Sequence, residues 1–204
     1  ALQKLVCKSF TDHQRIIFNG NGYSDEWAAE AKKRGLSNFP STAVCMQTYL
    51  SDKNIDLVTK HGIFTETEFR ARYAIQLEAY CKIVRIEART SIDMVFQQIL
   101  PAATAYTSSL CNSLMAKQNL GVPCKAESEL IRRLSASTDA LYEKCEKLRN
   151  DLNHIPEKID DASLYYHDVI VADMDAVRSD ADALEQITDK SYWPYPTYSD
   201  LLFY

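Results

Sequence analysis

A chain of 204 residues, 46% of them hydrophobic, is long enough for one sizeable core, because at this length folding hides roughly 70% of the surface that the unfolded chain exposes. The formal charge of −5 argues against a nucleic-acid footprint, which needs clustered Lys and Arg to replace counterions around phosphate, and no apolar run approaches the ~20 residues of a membrane span. The six cysteines, Cys7, Cys45, Cys81, Cys111, Cys124 and Cys145, are widely and irregularly spaced with no Cys-x-x-Cys pair, so they predict free thiols in a reducing, cytosolic setting rather than a disulfide framework or zinc site.

Ala1-Leu2-Gln3-Lys4 does not open a signal peptide. Helical spacing already runs at Leu2, Leu5, Val6 and Phe10, with no initiating Met, which suggests a segment of a longer polypeptide. The spacing predicts a first helix from Leu2 to about Phe18. It should end at two successive Asn-Gly pairs, Asn19-Gly20 and Asn21-Gly22, whose residues tolerate the left-handed conformations of tight turns. Ser24 then offers an N-cap, Asp25 and Glu26 suit the positive end of a helix dipole, and Gly35 supplies a stop. Further short helices are expected to start near Ser41 and Ser51.

Thr65-Glu66-Thr67-Glu68 is a capping box and opens the longest helix. Its stripe of Tyr73, Leu77, Tyr80, Val84, Ala88, Ser91, Val95 and Ile99 steps by four and three. Pro101 should kink this helix or restart it as a segment reaching Lys117. After Gly121-Val122-Pro123, Leu130, Leu134, Ser137, Leu141, Cys145, Leu148 and Leu152 follow heptad spacing, which favours shallow crossing angles. Beyond Pro156 a third stripe holds Ile159, Ala162, Tyr166, Ile170, Met174, Val177, Ala181 and Leu184. The expected fold is therefore all-α: an antiparallel bundle of three long helices, several short N-terminal helices, and an extended aromatic C-terminal tail. Only Arg15-Ile16-Ile17-Phe18 imitates a strand.

Chemistry is sparse along this pattern. Gly20-x-Gly22 after an apolar run imitates a dinucleotide fingerprint, but the third glycine and the parallel sheet are missing. There is no Glu-x-x-His pair for a di-iron bundle. Asp151-x-x-His154 stands alone at a helix end, where a His more often serves the dipole. His13, His61 and His167 lack partners at ligand spacing, and none of the Ser or Cys positions has the context of a nucleophile. Arg85, Glu87, Arg89 and Asp93 make a charged patch that suits either solvent or a partner domain. Glu143 to Arg149 reads as a solvated face laced with Glu–Lys pairs. Neither catalytic, cofactor-binding nor metal-ligating residues are assigned.

The tail differs in kind. Tyr192, Trp193, Tyr195, Tyr198, Phe203 and Tyr204 put six aromatics in thirteen residues around two prolines, which keep it extended and leave its apolar area to dock elsewhere. It can strap back over this bundle or dock onto another domain or subunit.

Several segments, in order, carry a family resemblance. They are Arg15-Ile16-Ile17-Phe18-Asn19-Gly20-Asn21-Gly22-Tyr23-Ser24, Arg34-Gly35-Leu36-Ser37-Asn38, Ile86-Glu87-Ala88 with Ile92-Asp93-Met94, Ile99-Leu100-Pro101-Ala102, and Trp193-Pro194-Tyr195-Pro196-Thr197-Tyr198-Ser199-Asp200-Leu201-Leu202-Phe203. Together they resemble the C-terminal region of type III glutamine synthetases, the large bacterial form of glutamate–ammonia ligase; Ser199 stands where the family usually has glycine. The resemblance implies one helical C-terminal domain over residues 1–204: short helices leading out of a catalytic domain over 1–64, the long-helix bundle over 65–188, and the tail over 189–204. It implies that ATP and a divalent metal, Mg or Mn, serve the full-length enzyme through residues preceding this region, with no cofactor held here. Glu68-Phe69-Arg70 matches a tripeptide of the family's catalytic domain, but just after a capping box it reads as coincidence.

The implied partners are the catalytic domain of the same polypeptide and neighbouring subunits of a cytoplasmic homo-oligomer, without nucleic acid or membrane. Candidate contacts are Asn19, Gly20, Asn21, Gly22, Tyr23, Trp193, Tyr195, Tyr198 and Phe203. The competing reading is a free-standing helical interaction module whose tail binds an unrelated protein.

Overall fold

The structure, a computed structural model, describes residues 1–202, the Tyr198 side chain excepted. All regular elements among the described residues are helical. Four short helices lead in: α1 (Leu2–Asp12), α2 (Asp25–Lys33), α3 (Thr42–Met46) and α4 (Asp52–Lys60). Three rods follow. The first is α5 (Glu66–Met94), a single π turn (Val95–Ile99) and α6 (Leu100–Asn119); the second is α7 (Lys125–Asp151); the third is α8 (Ile159–Tyr165), another π turn (Tyr166–Ile170) and α9 (Val171–Ile187). A terminal turn, α10 (Tyr198–Leu202), closes the described chain.

The Ser41 and Thr65 side chains cap their helices, whereas Ser24 and Ser51 occupy the N-cap positions of α2 and α4 without a side-chain cap bond. The Ser41 hydroxyl accepts from the Val44 amide. Thr65 and Glu68 complete their reciprocal box, with the Thr65 amide donating to the Glu68 carboxylate at 2.8 Å. Glycines with positive φ, Gly35, Gly62 and Gly121, follow α2, α4 and α6, where a residue without Cβ enters the left-handed region at little cost.

Pro101 restarts the helix rather than breaking it. Lacking an N–H, it cannot serve the carbonyl four residues back, and its ring crowds that carbonyl. The wider π turn just before it, closed by the Leu100 amide donating to the Val95 carbonyl, absorbs the mismatch. Rod one thus runs on for about 80 Å at 1.5 Å per residue. Its α6 half packs on α7, its α5 half on α8 and α9, and α7 packs most extensively on α9.

All three expected stripes face this centre. Val84, Ala88 and Val95 meet Leu134, Leu141 and Leu148 of α7 and Tyr166, Ile170 and Leu184 of rod three in one cluster. A smaller aromatic cluster seats α3 and α4 at the start of α5: Tyr49 stacks on Phe69 at 4.4 Å, and the Arg72 guanidinium lies 4.5 Å from the Phe64 ring centre.

Four expectations need correction. First, α1 stops at Asp12, and Gln14–Ile16 forms a 3₁₀ turn. Apolar spacing ran on past the helix because Ile17 and Phe18 serve a different contact. Second, among the described residues no non-glycine has positive φ, and neither Gly20 nor Gly22 is left-handed; instead a Cβ on Gly20 would fall 2.6 Å from the Phe18 ring, which is itself 4.6 Å from the Trp27 ring. Third, the tail is not extended to its end. Thr197 and Asp200 form a second reciprocal box, the Thr197 amide donating to Asp200 at 3.0 Å, and Ser199 sits in the resulting turn with negative φ. Fourth, the charged run of α7 is more than a solvated face, because Lys144 pairs with Asp180 at 2.8 Å and Lys147 with Asp173 at 2.6 Å across to α9.

Candidate functional site

The two sequence-predicted contact groups occupy different places. Asn19, Gly20, Asn21, Gly22 and Tyr23 form an exposed turn between α1 and α2, tied internally where the Tyr23 amide donates to Asn21 Oδ1 at 3.0 Å and the Ser24 hydroxyl to the Asn21 carbonyl at 2.8 Å. Tyr23 makes none of the burial that its size invites; its side chain is fully in solvent. The base of the turn is held by Arg34. Its guanidinium donates to the Ile17 carbonyl at 2.5 Å, reaches the Gln14 and Arg15 carbonyls at 3.4 Å, and pairs with Glu30 at 2.6 Å. The shared bond to Arg34 holds the Glu30 carboxyl below its usual range.

Trp193 and Tyr195 instead fold back on this chain's own core. Tyr106 and Tyr192 have ring centres 5.3 Å apart. An open cleft of about 500 Å³ is lined by Trp193 and Tyr195 together with Met94, Val95 and Ile99 of rod one and Met174, Val177 and Ala181 of α9. The Tyr198 side chain and Phe203 lie outside the described residues. Thus the strap arrangement holds for Trp193 and Tyr195.

Asp200 closes the strap on itself, bonding Lys190 on one side of Trp193 and Tyr195 and Thr197 on the other. The Lys190 ammonium first, then the Thr197 amide and hydroxyl, push its carboxyl down to about 2. A depressed carboxylate contributes stability that is present above its unfolded value and lost as pH falls through the folded one. Trp193 fluorescence, read in a Trp27→Phe variant, is therefore expected to hold steady from pH 7 to about 4 and to change only toward pH 2. A transition centred above pH 5 would show that something other than Asp200 holds the strap closed.

Sequence reasoning missed a charged cluster between α7 and α9. Lys147 lies 2.9 Å from Asp151 and 2.6 Å from Asp173. Burial pushes Asp173 up, whereas the bond to Lys147 pulls Asp151 down. The i, i+4 spacing of Lys147 and Asp151 was visible in sequence, but their meeting with Asp173 depended on helix pairing. With an ammonium already between the two carboxylates, this donor set does not suit a divalent metal, and no group of three His, Cys, Asp or Glu among the described residues is placed to hold one.

The remaining candidates have structural employment. His154 Nδ1 lies 2.8 Å from the Asn150 carbonyl and His167 Nδ1 2.7 Å from Asp168. Phe69 of the Glu-Phe-Arg tripeptide is buried in the aromatic cluster, while Arg70 pairs with Glu66 at 2.8 Å. All six thiols are unpaired. Burial pushes Cys145 up to about 11 and raises Cys81 as well, so both behave as small apolar side chains. Among the described residues no helix is long and apolar enough to cross a membrane.

A further surface was legible but unread. Ile75, Ile83 and Ile86 on α5 are 62%, 56% and 64% exposed. At about 100° per residue, with Ala79 they form a second stripe about 180° from the buried one. The longest helix is apolar on both sides.

These features define a helical domain with an exposed apolar stripe on its longest helix. A family model described as "Glutamine synthetase C-terminal domain" matches residues 1–118, and the chain belongs to that family. It is 37% identical over 207 residues to a "Glutamine synthetase" of Butyrivibrio fibrisolvens, 32% over 212 residues to a "Type-3 glutamine synthetase" of Dictyostelium discoideum, and 28% over 212 residues to a "Glutamine synthetase" of Bacteroides fragilis (strain YCH46). These alignments cover 99%, 100% and 100% of this chain but 29% of each relative, in the relatives' C-terminal part. The chain thus spans under a third of the length of the curated relatives it matches.

Proposed function

We propose that this chain is the single C-terminal helical domain of a longer cytoplasmic glutamine synthetase, and that it completes the subunit and contributes contacts to a homo-oligomer. The alignment over the whole chain but only 29% of each relative carries this reading. In the full-length enzyme, ATP and a divalent metal would drive glutamate and ammonia to glutamine through residues that precede Ala1. The outward stripe of Ile75, Ile83 and Ile86 supports a contact role, since apolar side chains gathered on one exposed helix face offer a contiguous patch of the kind that marks interaction sites. The turn at Asn19 to Tyr23 is a second candidate contact.

Incubated with ATP, Mg²⁺, glutamate and ammonia, the purified chain is expected to form no glutamine. Steady glutamine production by this chain would overturn the division of labour. For the assembly half, the full-length polypeptide and a form lacking this region would be compared by light scattering. An unchanged oligomer mass after deletion would sink the assembly role while leaving the domain reading intact.

A further inference from the structure

The helix α1 is built but uncovered. Leu2, Leu5, Val6 and Phe10 are 75%, 63%, 47% and 59% exposed, and no residue of the helix is buried. With Ser9 they fall within an arc of about 140°, while Lys4, Lys8 and Thr11 occupy the other side. Such a stripe is the pattern of a helix that lies against something. An isolated helix of 11 residues is marginal in water, so its stability has to come from packing.

The far end of α1 is not left loose. The Arg34 guanidinium donates to the Gln14, Arg15 and Ile17 carbonyls just beyond the helix, and Phe18 lies against Trp27. The clamp sets the direction in which α1 leaves the rest of the domain. Its free end is Ala1, and in the relatives the larger part of the polypeptide lies on that side, because this chain aligns with 29% of their length at their C-terminal part.

We infer that the apolar face of α1, formed by Leu2, Leu5, Val6 and Phe10, docks on the portion of its own polypeptide that precedes Ala1. The inference rests on the reading of this chain as a domain of a longer synthetase. Area selects a tethered occupant over a second copy. Four side chains on three turns fall short of the ~800 Å² per partner of a stand-alone interface. A covalently joined partner is present at an effective concentration in the millimolar range, so a small apolar face suffices.

The test is hydrogen exchange by mass spectrometry on the full-length polypeptide, dilute and concentrated, as wild type, as Leu5→Asp/Phe10→Asp, and as Lys4→Glu/Lys8→Glu. In wild type, the amides of residues 5–12 are expected to exchange at least tenfold more slowly than an unstructured chain. That protection should be lost in the Leu5→Asp/Phe10→Asp variant and kept in the Lys4→Glu/Lys8→Glu variant. Exchange at the unstructured rate in wild type overturns the inference without needing any variant, and so does protection that survives both aspartates. Protection that appears only on concentration assigns the face to another subunit and equally overturns it. The same preparation is assayed for ATP-dependent glutamine formation, so that failure of the synthetase reading is seen separately from failure of the docking.

Discussion

Leu141→Ala is expected to lower the unfolding free energy of this chain by about 3 kcal/mol, whereas Ile83→Ala is expected to cost less than about 0.5 kcal/mol. Both delete aliphatic carbons from a long helix, so the contrast isolates burial. Leu141 is fully buried within the cluster that joins α7 to rods one and three. Removing its methyl groups forfeits their transfer free energy and leaves a cavity that three packed rods close only in part. Ile83 is 56% exposed on the opposite side of α5. Urea denaturation of the chain would measure both, with unchanged slope expected if the two states keep their compactness. A loss under about 1 kcal/mol for Leu141→Ala would mean that the bundle collapses into the space and that its packing is looser than the burial implies. In the full-length polypeptide, Ile83→Ala should gain a cost only if that face is covered, which links this pair of measurements to the proposed contact role.

Lys147→Met is expected to destabilise the chain by about 1–2 kcal/mol at pH 7, less than for a fully buried pair because Lys147 is 59% exposed. The Asp151 and Asp173 side chains are only 19% and 12% exposed, and without the ammonium they face each other uncompensated. The signs in the native protein oppose one another. Asp151, held low by Lys147, contributes stability above its unfolded value that is lost as pH falls through its folded one. Asp173, raised by burial, is more stable protonated, so its ionisation detracts from folding as pH rises past its unfolded value. Removing Lys147 takes away the group that lowers both carboxyls. The variant's deficit should therefore shrink as the pH is brought to 4, where protons replace the ammonium between the carboxylates. Equal deficits at pH 7 and pH 4 would show that the loss lies in the packing of the lysine stem instead of its charge. Adding Asp173→Asn to Lys147→Met should restore part of the loss at pH 7.

Much of the bundle could be read from residue order because each long helix carries its own code. The buried stripes of α5, α7 and α9 are local repeats of three and four. The starts at Ser41 and Thr65 are local hydrogen-bond patterns that need no distant partner. The cap at Thr197 and Asp200 follows the same local pattern and was equally legible, but the flanking prolines and aromatics drew attention to an extended docking segment. The Asn-Gly pairs misled in a different way. They permit left-handed turns without requiring them, and the close approach of the Phe18 ring to Gly20 depends on Trp27 standing opposite.

The sequence by itself determined that this is an all-helical chain with three apolar rods, where most of the helices begin, and, through segments spread along its length, which family it belongs to. Periodicity, caps and segment order are properties of neighbours in the chain, so they survive without coordinates. Only the tertiary structure decided that Lys147 meets Asp173, that Arg34 clamps the exit of α1, that Trp193 and Tyr195 fold back on their own core, and that two apolar faces, on α1 and on the far side of α5, remain uncovered. Each of these depends on which helix lies against which, and a helix presents its stripe in the same way whether a partner is there or not.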